Sequence, residues 1–456
     1  MAGEQAVVVG GSIAGLLAAR VLADHYLQVT VLEADRLEPG PVLRKGVPQA
    51  QHLHGLIHRG AVIVERLFPG LFQEIQAEGG LTAEVGPDFL YYQFGISKPR
   101  QPTGLVGQLH SRPLLEWSLR RRLASIPNVR TLPGCQATSL SATEDRTRVT
   151  GVHFRQDGGG EAHQPADLVV DASGRGSRAP QWLEALGYPR VEESEVRIDV
   201  GYSTRLFRFA PRPRDWKFMV ILPTPPGQKR LGALAAIEGG RWVATLAGWL
   251  KDYPPADEAG FLEYARSLPR PELYENLRDA EPLGPILTYR FPSNLRRRYE
   301  RMPRFPGGLA VVGDAHCSFN PIYGQGMTTA AIQVEALEQC LRKPGSPAEL
   351  SRRIRRRAAA SIDGSWGAAT SGDFNYPEVP GRRPPGFALA NWYGTKVAQL
   401  TGWDPDAFLR FAHVMQMSRS PAILFTPSML ARVLKLALRG PPPGVGSPTG
   451  AATLVQ

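Results

Sequence analysis

Six residues near the amino end, Gly10-Gly11-Ser12-Ile13-Ala14-Gly15, keep the spacing G-x-G-x-x-G except that Ser12 stands at the middle glycine. That pattern suits a pyrophosphate, because N–H groups at a helix N-terminus point at phosphate oxygens and small residues let the ligand reach the main chain. Gly10 allows the tight turn, Ser12 the approach, and Gly15 a close contact between helix and strand. Farther on, Glu33, followed by Ala34, stands where a carboxylate accepts hydrogen bonds from adenosine ribose hydroxyls and disfavours a 2′-phosphate. The bland alternative is a glycine-rich turn that only packs a helix on a sheet. The strand before, the helix after, a second strand and the acid at the expected distance together select a dinucleotide.

A second constellation lies near residue 320, in GDAHCSFNPIYGQGM. Gly313 and Asp314 follow an apolar strand, Pro321 marks a loop, and Gly324-Gln325-Gly326 opens a long helix from about Met327. A helix N-terminus there can stabilise negative charge on a bound ring. Between the two lies a polar loop with Arg44, Lys45, Gly46, Val47, Gln49, His52, His54 and His58. Its side chains either donate hydrogen bonds to the dinucleotide or satisfy local backbone groups. Metal binding is disfavoured, since no carboxylate or cysteine joins the histidines at ligand spacing. Arg112 either reaches the pyrophosphate or is a surface arginine.

The elements that must position these residues read as follows. Ala6–Val9 is a buried strand, Leu16–Ala23 continues a helix, and Val29–Leu32 is the second strand. Gly79–Leu109 holds strand pieces such as Phe89–Phe94, consistent with a hairpin leaving the dinucleotide fold. Ser111 caps a helix that begins at Arg112-Pro113. Val129–Leu132, Ala137–Leu140 and Val149–Arg155 read as strands of an antiparallel insert, before Leu168–Val170 and DASGRGS. From Val196 to Leu250 alternating apolar residues predict a sheet of several antiparallel strands. Phe261–Leu268 and Pro271–Ala280 read as helices, and Leu283–Phe291 as a last strand. Pro344–Arg357 is a basic helix, WGAATSGDFNYP a polar loop, and Ala407–Leu438 amphipathic helix broken by Pro421 and Pro427. The stripe Phe408, Phe411, Met415, Ile423, Leu430 and Leu434 reads as core rather than a membrane anchor.

Composition narrows the class. The 456 residues suffice for two domains or one elaborated domain, and 41 prolines with 48 glycines imply many loops. The net charge of +11 is mostly arginine, but the clusters Arg120–Arg122, Arg296–Arg298 and Arg352–Arg357 lie on separate segments without interleaved aromatics. They read as solvated helix faces, not a nucleic-acid surface. Three scattered cysteines, Cys135, Cys317 and Cys340, imply neither a disulfide framework nor a zinc site. The first strand leaves no room for a signal peptide, and no apolar run approaches the ~18 residues of a membrane span, so a cytoplasmic protein is expected.

With GGSIAG, DASGRGS and GDAHCSFNPIYGQGM in that order, the chain resembles the FAD-dependent monooxygenases of the para-hydroxybenzoate hydroxylase type, over about residues 5 to 345. Within that group it looks closest to the flavoprotein epoxidases of polyether assembly, such as the lasalocid epoxidase. The resemblance implies an α/β fold: a Rossmann-like FAD-binding domain with an inserted antiparallel substrate domain and C-terminal helices. The expected parts are FAD-binding segments 1–78, 110–190 and 293–345, a hairpin at 79–109, a substrate-binding sheet at 191–292, a helical region at 346–440 and a disordered tail at 441–456.

The same resemblance implies FAD as resident cofactor. Gly10, Ser12, Gly15 and Glu33 would hold its ADP half, Arg44 and Arg112 its ribose or pyrophosphate, Asp314 the ribityl region, and Gly324, Gly326 and Met327 the pyrimidine edge of the ring. Reduced flavin with O2 gives a C4a-hydroperoxide whose distal oxygen attacks a lipophilic alkene or an arene, so no side-chain acid or nucleophile is expected. The sequence departs from the family at Ser173, where an Asp linked to FAD and NADPH is usual. It departs again at Cys317, where many relatives have histidine, with His316 one place earlier. No second nucleotide fold is read, so NAD(P)H binds transiently or a separate reductase supplies electrons. Expected substrate contacts are Tyr202, Trp216, Phe218, Trp249 and Tyr323. A flavin-dependent reductase of the geranylgeranyl reductase kind is the alternative enzyme, and a non-catalytic flavin- or lipid-binding protein the alternative from another class. Halogenation is disfavoured by the lack of W-x-W-x-I-P.

Overall fold

The computed structural model describes residues 3–211 and 213–442. The expected tail at 441–456 lies outside the described residues except for its first two. Gly3–Val9 and Tyr26–Glu33 form the centre of a five-stranded parallel sheet. Its order is Leu309–Val311, Leu168–Asp171, Gly3–Val9, Tyr26–Glu33, Val129–Pro133. Each central strand is apolar on both faces because helices cover one side and a small sheet the other. Ile13–Ala23, His58–Leu67, Arg112–Ala124 and Gly326–Leu341 bury Leu17, Leu22, Ile63, Leu115 and Val334 against one face. On the other, Cys135–Ala142, Val149–Gln156, Glu161–Pro165 and the helix Ala179–Ala185 bury Val152, Phe154 and Trp182. Val129–Pro133 therefore does not belong to the antiparallel insert with which it was grouped. It pairs in parallel with Tyr26–Glu33 at the edge of the main sheet.

The second layer is an eight-stranded sheet. Glu281–Arg297, Glu193–Arg208, Arg241–Gly248, Arg230–Ile237 and Phe218–Ile221 run antiparallel in that order, and Phe89–Gln93 joins Phe218–Ile221 in parallel. Its two faces are both apolar and do different work. The outer face packs Met219, Ile221, Leu234 and Leu246 on the helices Glu258–Arg266 and Glu272–Leu277. The inner face, with Tyr202, Leu231, Ala233, Trp249 and Phe291, turns toward the parallel domain.

The last read strand is longer than expected, reaching Arg297, and its end corrects the charge reading. Arg296 and Arg297 are buried on that strand, donating to Asp363 and to the backbone carbonyls of Ala359, Ala315 and Arg175. They are internal ties, not a solvated helix face.

The C-terminal third departs most from expectation. Pro347–Asp373 is one helix of 27 residues opened by a Ser346/Glu349 capping box, so the polar stretch beginning at Trp366 is helical through Asp373. Three glycines argue locally for a loop, at about 1 kcal/mol each relative to alanine. Packing on Gly326–Leu341, with Thr329 Oγ1 2.8 Å from Ser365 Oγ, outweighs that preference. Beyond it Phe387–Leu400, a helix not read from the sequence, packs with Pro405–Met415 and Pro427–Arg439. The hairpin residue Lys98 holds this cap in place: its buried ammonium donates to Ala398 O and, at 2.7 Å, to Thr401 Oγ1. Burial pushes that lysine down to about 7. Phe408 and Phe411 are core as expected, but Leu430 and Leu434 are not. Met429, Val433 and Leu436 take the inner face of their helix and leave those leucines 42% and 56% exposed.

Candidate cofactor and substrate site

One cavity of about 1400 Å³ runs from the glycine turn, between the two sheets, to the C-terminal helices. At its first end the local backbone explains the glycines. Gly10 has φ +100°, and a Cβ there would stand 2.6 Å from Ala172 O. At Gly15 a Cβ would stand 1.8 Å from Gly10 O, so only hydrogen lets the helix meet the turn that closely. Gly10, Gly11, Ser12, Ile13 and Ala14 line the cavity while Gly15 lies beneath it.

Glu33 and Ala34 close the same end. The Glu33 carboxylate accepts from Gly11 N–H at 2.7 Å and Asp35 N–H at 2.8 Å, and Arg44 lies 3.1 Å away. Arg44 and Arg112 both line the cavity, and Arg112 is buried rather than a surface arginine. They are held by an acid that the sequence reading missed. Buried Glu116 accepts from Arg44 Nε at 2.7 Å, Arg112 at 3.1 Å, Arg120 at 3.1 Å and Ser12 Oγ at 2.9 Å. Burial alone would raise its pKa, yet Arg112 and Arg44 hold it below the usual carboxylate range. Its signal was the Arg112/Glu116 spacing of four on a helix. Arg112 also donates to Ser12 Oγ at 2.7 Å, so the residue replacing the middle glycine is a joint between the turn and the cationic pair.

The loop after Arg44 divides. Gly46, Val47 and Gln49 line the cavity, whereas Lys45 is exposed and is not part of the lining. His54 and His58 donate to the carbonyls of His52 and Val106, and His52 sits 2.8 Å from Thr204 Oγ1. Burial pushes His52 down to about 4 and His54 to about 3, so both are neutral rings in the wall.

Behind the middle of the cavity wall, Asp171 accepts from Ser173 Oγ at 2.6 Å and Ser177 Oγ at 2.5 Å, closing the DASGRGS loop on itself. Ser173, the departure from the family pattern, therefore serves its own loop through its hydroxyl. Arg175, also unread, donates to Ser293 Oγ and Ser318 Oγ and lies over the Phe291 ring at 4.8 Å. Gly313, Asp314, Pro321, Gly324, Gln325, Gly326 and Met327 all line this part. Asp314 faces the cavity inside a protein shell: burial raises its pKa against the pull of Arg112 and Arg175. Cys317 and His316 are buried behind it, and burial raises the thiol far above its ordinary value.

At the far end, Tyr202, Phe218, Trp249 and Tyr323 line the cavity, joined by apolar groups from the cap including Phe387, Phe408, Phe411 and Phe425. Trp216 does not. It lies on the outer face of the sheet, edge-on to Trp242 at 5.1 Å, because residues 216 and 218 sit on either side of the strand's start rather than in one register. Trp249, Tyr323 and Tyr202 are tied by a second missed acid, Asp373, the last residue of the long helix. Fully buried, it accepts from Trp249 Nε1 at 2.9 Å, Asn294 at 2.8 Å, Asn320 at 2.9 Å and Tyr323 OH at 3.1 Å. Tyr202 OH donates to Asn320 Oδ1 at 3.1 Å and completes the network. Nothing local in the sequence signals it, since its partners are 50 to 124 residues away.

The cradle fits an FAD. Its turn admits no side chain at positions 10 and 15, its acid matches ribose hydroxyls, and its buried cation pair, with Arg112 Nε left without a partner, matches a pyrophosphate.

Comparison with known proteins bears on the same residues. The FAD dependent oxidoreductase family pattern matches residues 5–219. Protein Rv3254 of Mycobacterium tuberculosis is 34% identical over 96% of this chain and 95% of its own length. Squalene monooxygenase of Mus musculus is 22% identical over 74% of this chain, which spans 54% of that protein. Among solved structures, the flavin-dependent brominase Bmp2 superposes with a TM-score of 0.64 over 96% of this chain and 100% of its own, at 16% identity, a likeness of fold alone.

Proposed function

The chain belongs to the FAD-dependent oxidoreductases, and from that premise we propose that it is a monooxygenase inserting one oxygen atom from O2 into a lipophilic alkene, by epoxidation, or into an aromatic ring. The observation that carries this reading is the continuity of the cavity from a charged cradle to an apolar chamber. Squalene monooxygenase, a relative that shares three quarters of the chain, is named for a hydrocarbon polyene, which favours the alkene.

Bound FAD, once reduced, supplies oxygen transfer from O2. The residues Gly10 to Ala14, Glu33, Arg44, Arg112, Asp314 and Gly324 to Met327 would hold it. The chain's own part is then binding, orientation and exclusion of water. The N-terminus of Gly326–Leu341 sets a positive dipole end against the cavity, where developing negative charge is stabilised. Asp373 fixes Trp249 and Tyr323, and through Asn320 also Tyr202, so the substrate wall is rigid before substrate arrives. The phenylalanines of the cap keep water out of the chamber. Electrons come from NAD(P)H bound transiently or from a separate reductase, since Ser173 is committed to Asp171 and offers no carboxylate to a nicotinamide nucleotide.

The test is a substrate screen of alkenes, sulfides and phenols under isotopically heavy O2 with bromide present. A product heavier by one labelled oxygen supports the proposal. A product that gains or loses two hydrogens, or gains bromine, replaces it with a reductase or a halogenase.

A further inference from the structure

The helix Pro427–Arg439 has one leucine ridge that none of the described residues covers. Leu430, Leu434 and Leu438 follow each other at spacings of four and are 42%, 56% and 85% exposed. Such spacing puts them in one line along the helix. Lys435 and Arg439 form the adjacent line, and among the described residues neither has an ion pair. The ridge begins beside the cavity: Phe425, two residues before this helix, is 56% exposed, lines the cavity and stacks on Tyr393 at 4.9 Å.

We propose that this face docks on an anionic lipid surface, with the leucine ridge entering the headgroup boundary and the basic ridge meeting lipid phosphates. Charge selects the occupant. Residues 380–442 carry eight Lys and Arg against two Asp, and both Asp are consumed by Arg410 and Arg432. A second copy of the chain would bring Lys435 and Arg439 against the same excess of positive charge, whereas an anionic bilayer complements it. Exposed leucines beside snorkelling basic side chains are what an interfacial helix presents. No described helix is long and apolar enough to cross a membrane, so the contact is with the surface. Docked this way, the cavity rim at Phe425 faces the layer in which lipophilic molecules dissolve.

The proposal rests on the exposed face and not on oxygen transfer, so its readout is binding. The full chain loaded with FAD is sedimented with phosphatidylcholine vesicles and with vesicles containing phosphatidylglycerol, at low and high salt. The expected result is roughly tenfold or greater enrichment on the anionic vesicles, reduced by salt. Leu430→Glu, Leu434→Glu and Leu438→Glu combined should abolish binding while flavin content and circular dichroism stay unchanged. Lys435→Glu with Arg439→Glu should remove the preference for phosphatidylglycerol. Leu27→Glu, at an exposed leucine of the parallel sheet, should change nothing. Equal pelleting with and without vesicles overturns the proposal, as does a parent dimer in analytical ultracentrifugation that the triple variant splits. Binding that appears only after residues 443–456 are removed overturns it too, because the chain itself would then cover the ridge.

Discussion

The two ends of the cavity are built on opposite principles. At the cradle, the turn and its acid come from one stretch of the chain, from Gly10 to Arg44, and charge dominates, with Arg44 and Arg112 held by buried Glu116. At the chamber, the wall is apolar and comes from the hairpin, the eight-stranded sheet, the long helix and the C-terminal cap. Buried Asp373 plays the part there that Glu116 plays at the cradle, but it gathers neutral donors instead of cations. A dianionic ligand needs fixed positive charge close to a turn, which local sequence can supply. An apolar ligand needs a shape, and shape is a property of packed elements.

The largest effect that sharpens this contrast is expected at Gly15. Gly15→Ala would force Cβ against Gly10 O and should cost more than about 3 kcal/mol, with loss of bound flavin read from visible absorbance of the purified chain. Glu116→Gln should cost about 3 kcal/mol, because it removes the carboxylate paired with buried Arg112 and one of three carboxylates around Arg44, and FAD affinity should fall in parallel by titration. Asp373→Ala should cost about 3 kcal/mol, leaving buried donors of Trp249, Asn294 and Asn320 without an acceptor. Its signature should be a fall in turnover and substrate affinity with flavin content kept. Equal loss of flavin from the Glu116 and Asp373 variants would erase the distinction between the two ends.

Acid should loosen the loop that joins them. His52 and His54 stay neutral in the fold down to about 4 and about 3, while in the unfolded chain they take protons near 6.5. Protons then favour the unfolded state as pH falls below 6.5, at up to about 1.4 kcal/mol per pH unit for each ring. Thermal melts should therefore drop between pH 6.5 and 4, and His52→Gln with His54→Gln should flatten that slope. The smallest effect is expected at Trp216. Trp216→Phe, on the outer face, should cost under about 1.5 kcal/mol and leave KM unchanged, whereas a shifted KM would place the chamber on the wrong side of the sheet.

Local pattern was enough to read the strand, turn and helix from Ala6 to Ala23, the acid at Glu33, the Ser111 cap and the strands between Val196 and Leu250, because each depends on residues a few positions apart. Of the residues it named for the cradle, all but Gly15 and Lys45 line the cavity. Lys45 lies outside the lining, because only the fold decides which loop residues border a cavity. The glycines of the long helix concealed it, and the buried strand end at Arg296 read as surface because charge alone carries no information on depth. What the amino-acid order determined was a tight glycine turn between strand and helix, an acid at the end of the next strand and a second glycine turn before a long helix. Only the packed structure decided which aromatics face the cavity, which acids hold its walls and which leucines remain outside. Backbone turns are set by near neighbours, while burial and buried hydrogen bonds are set by segments that meet across fifty residues or more.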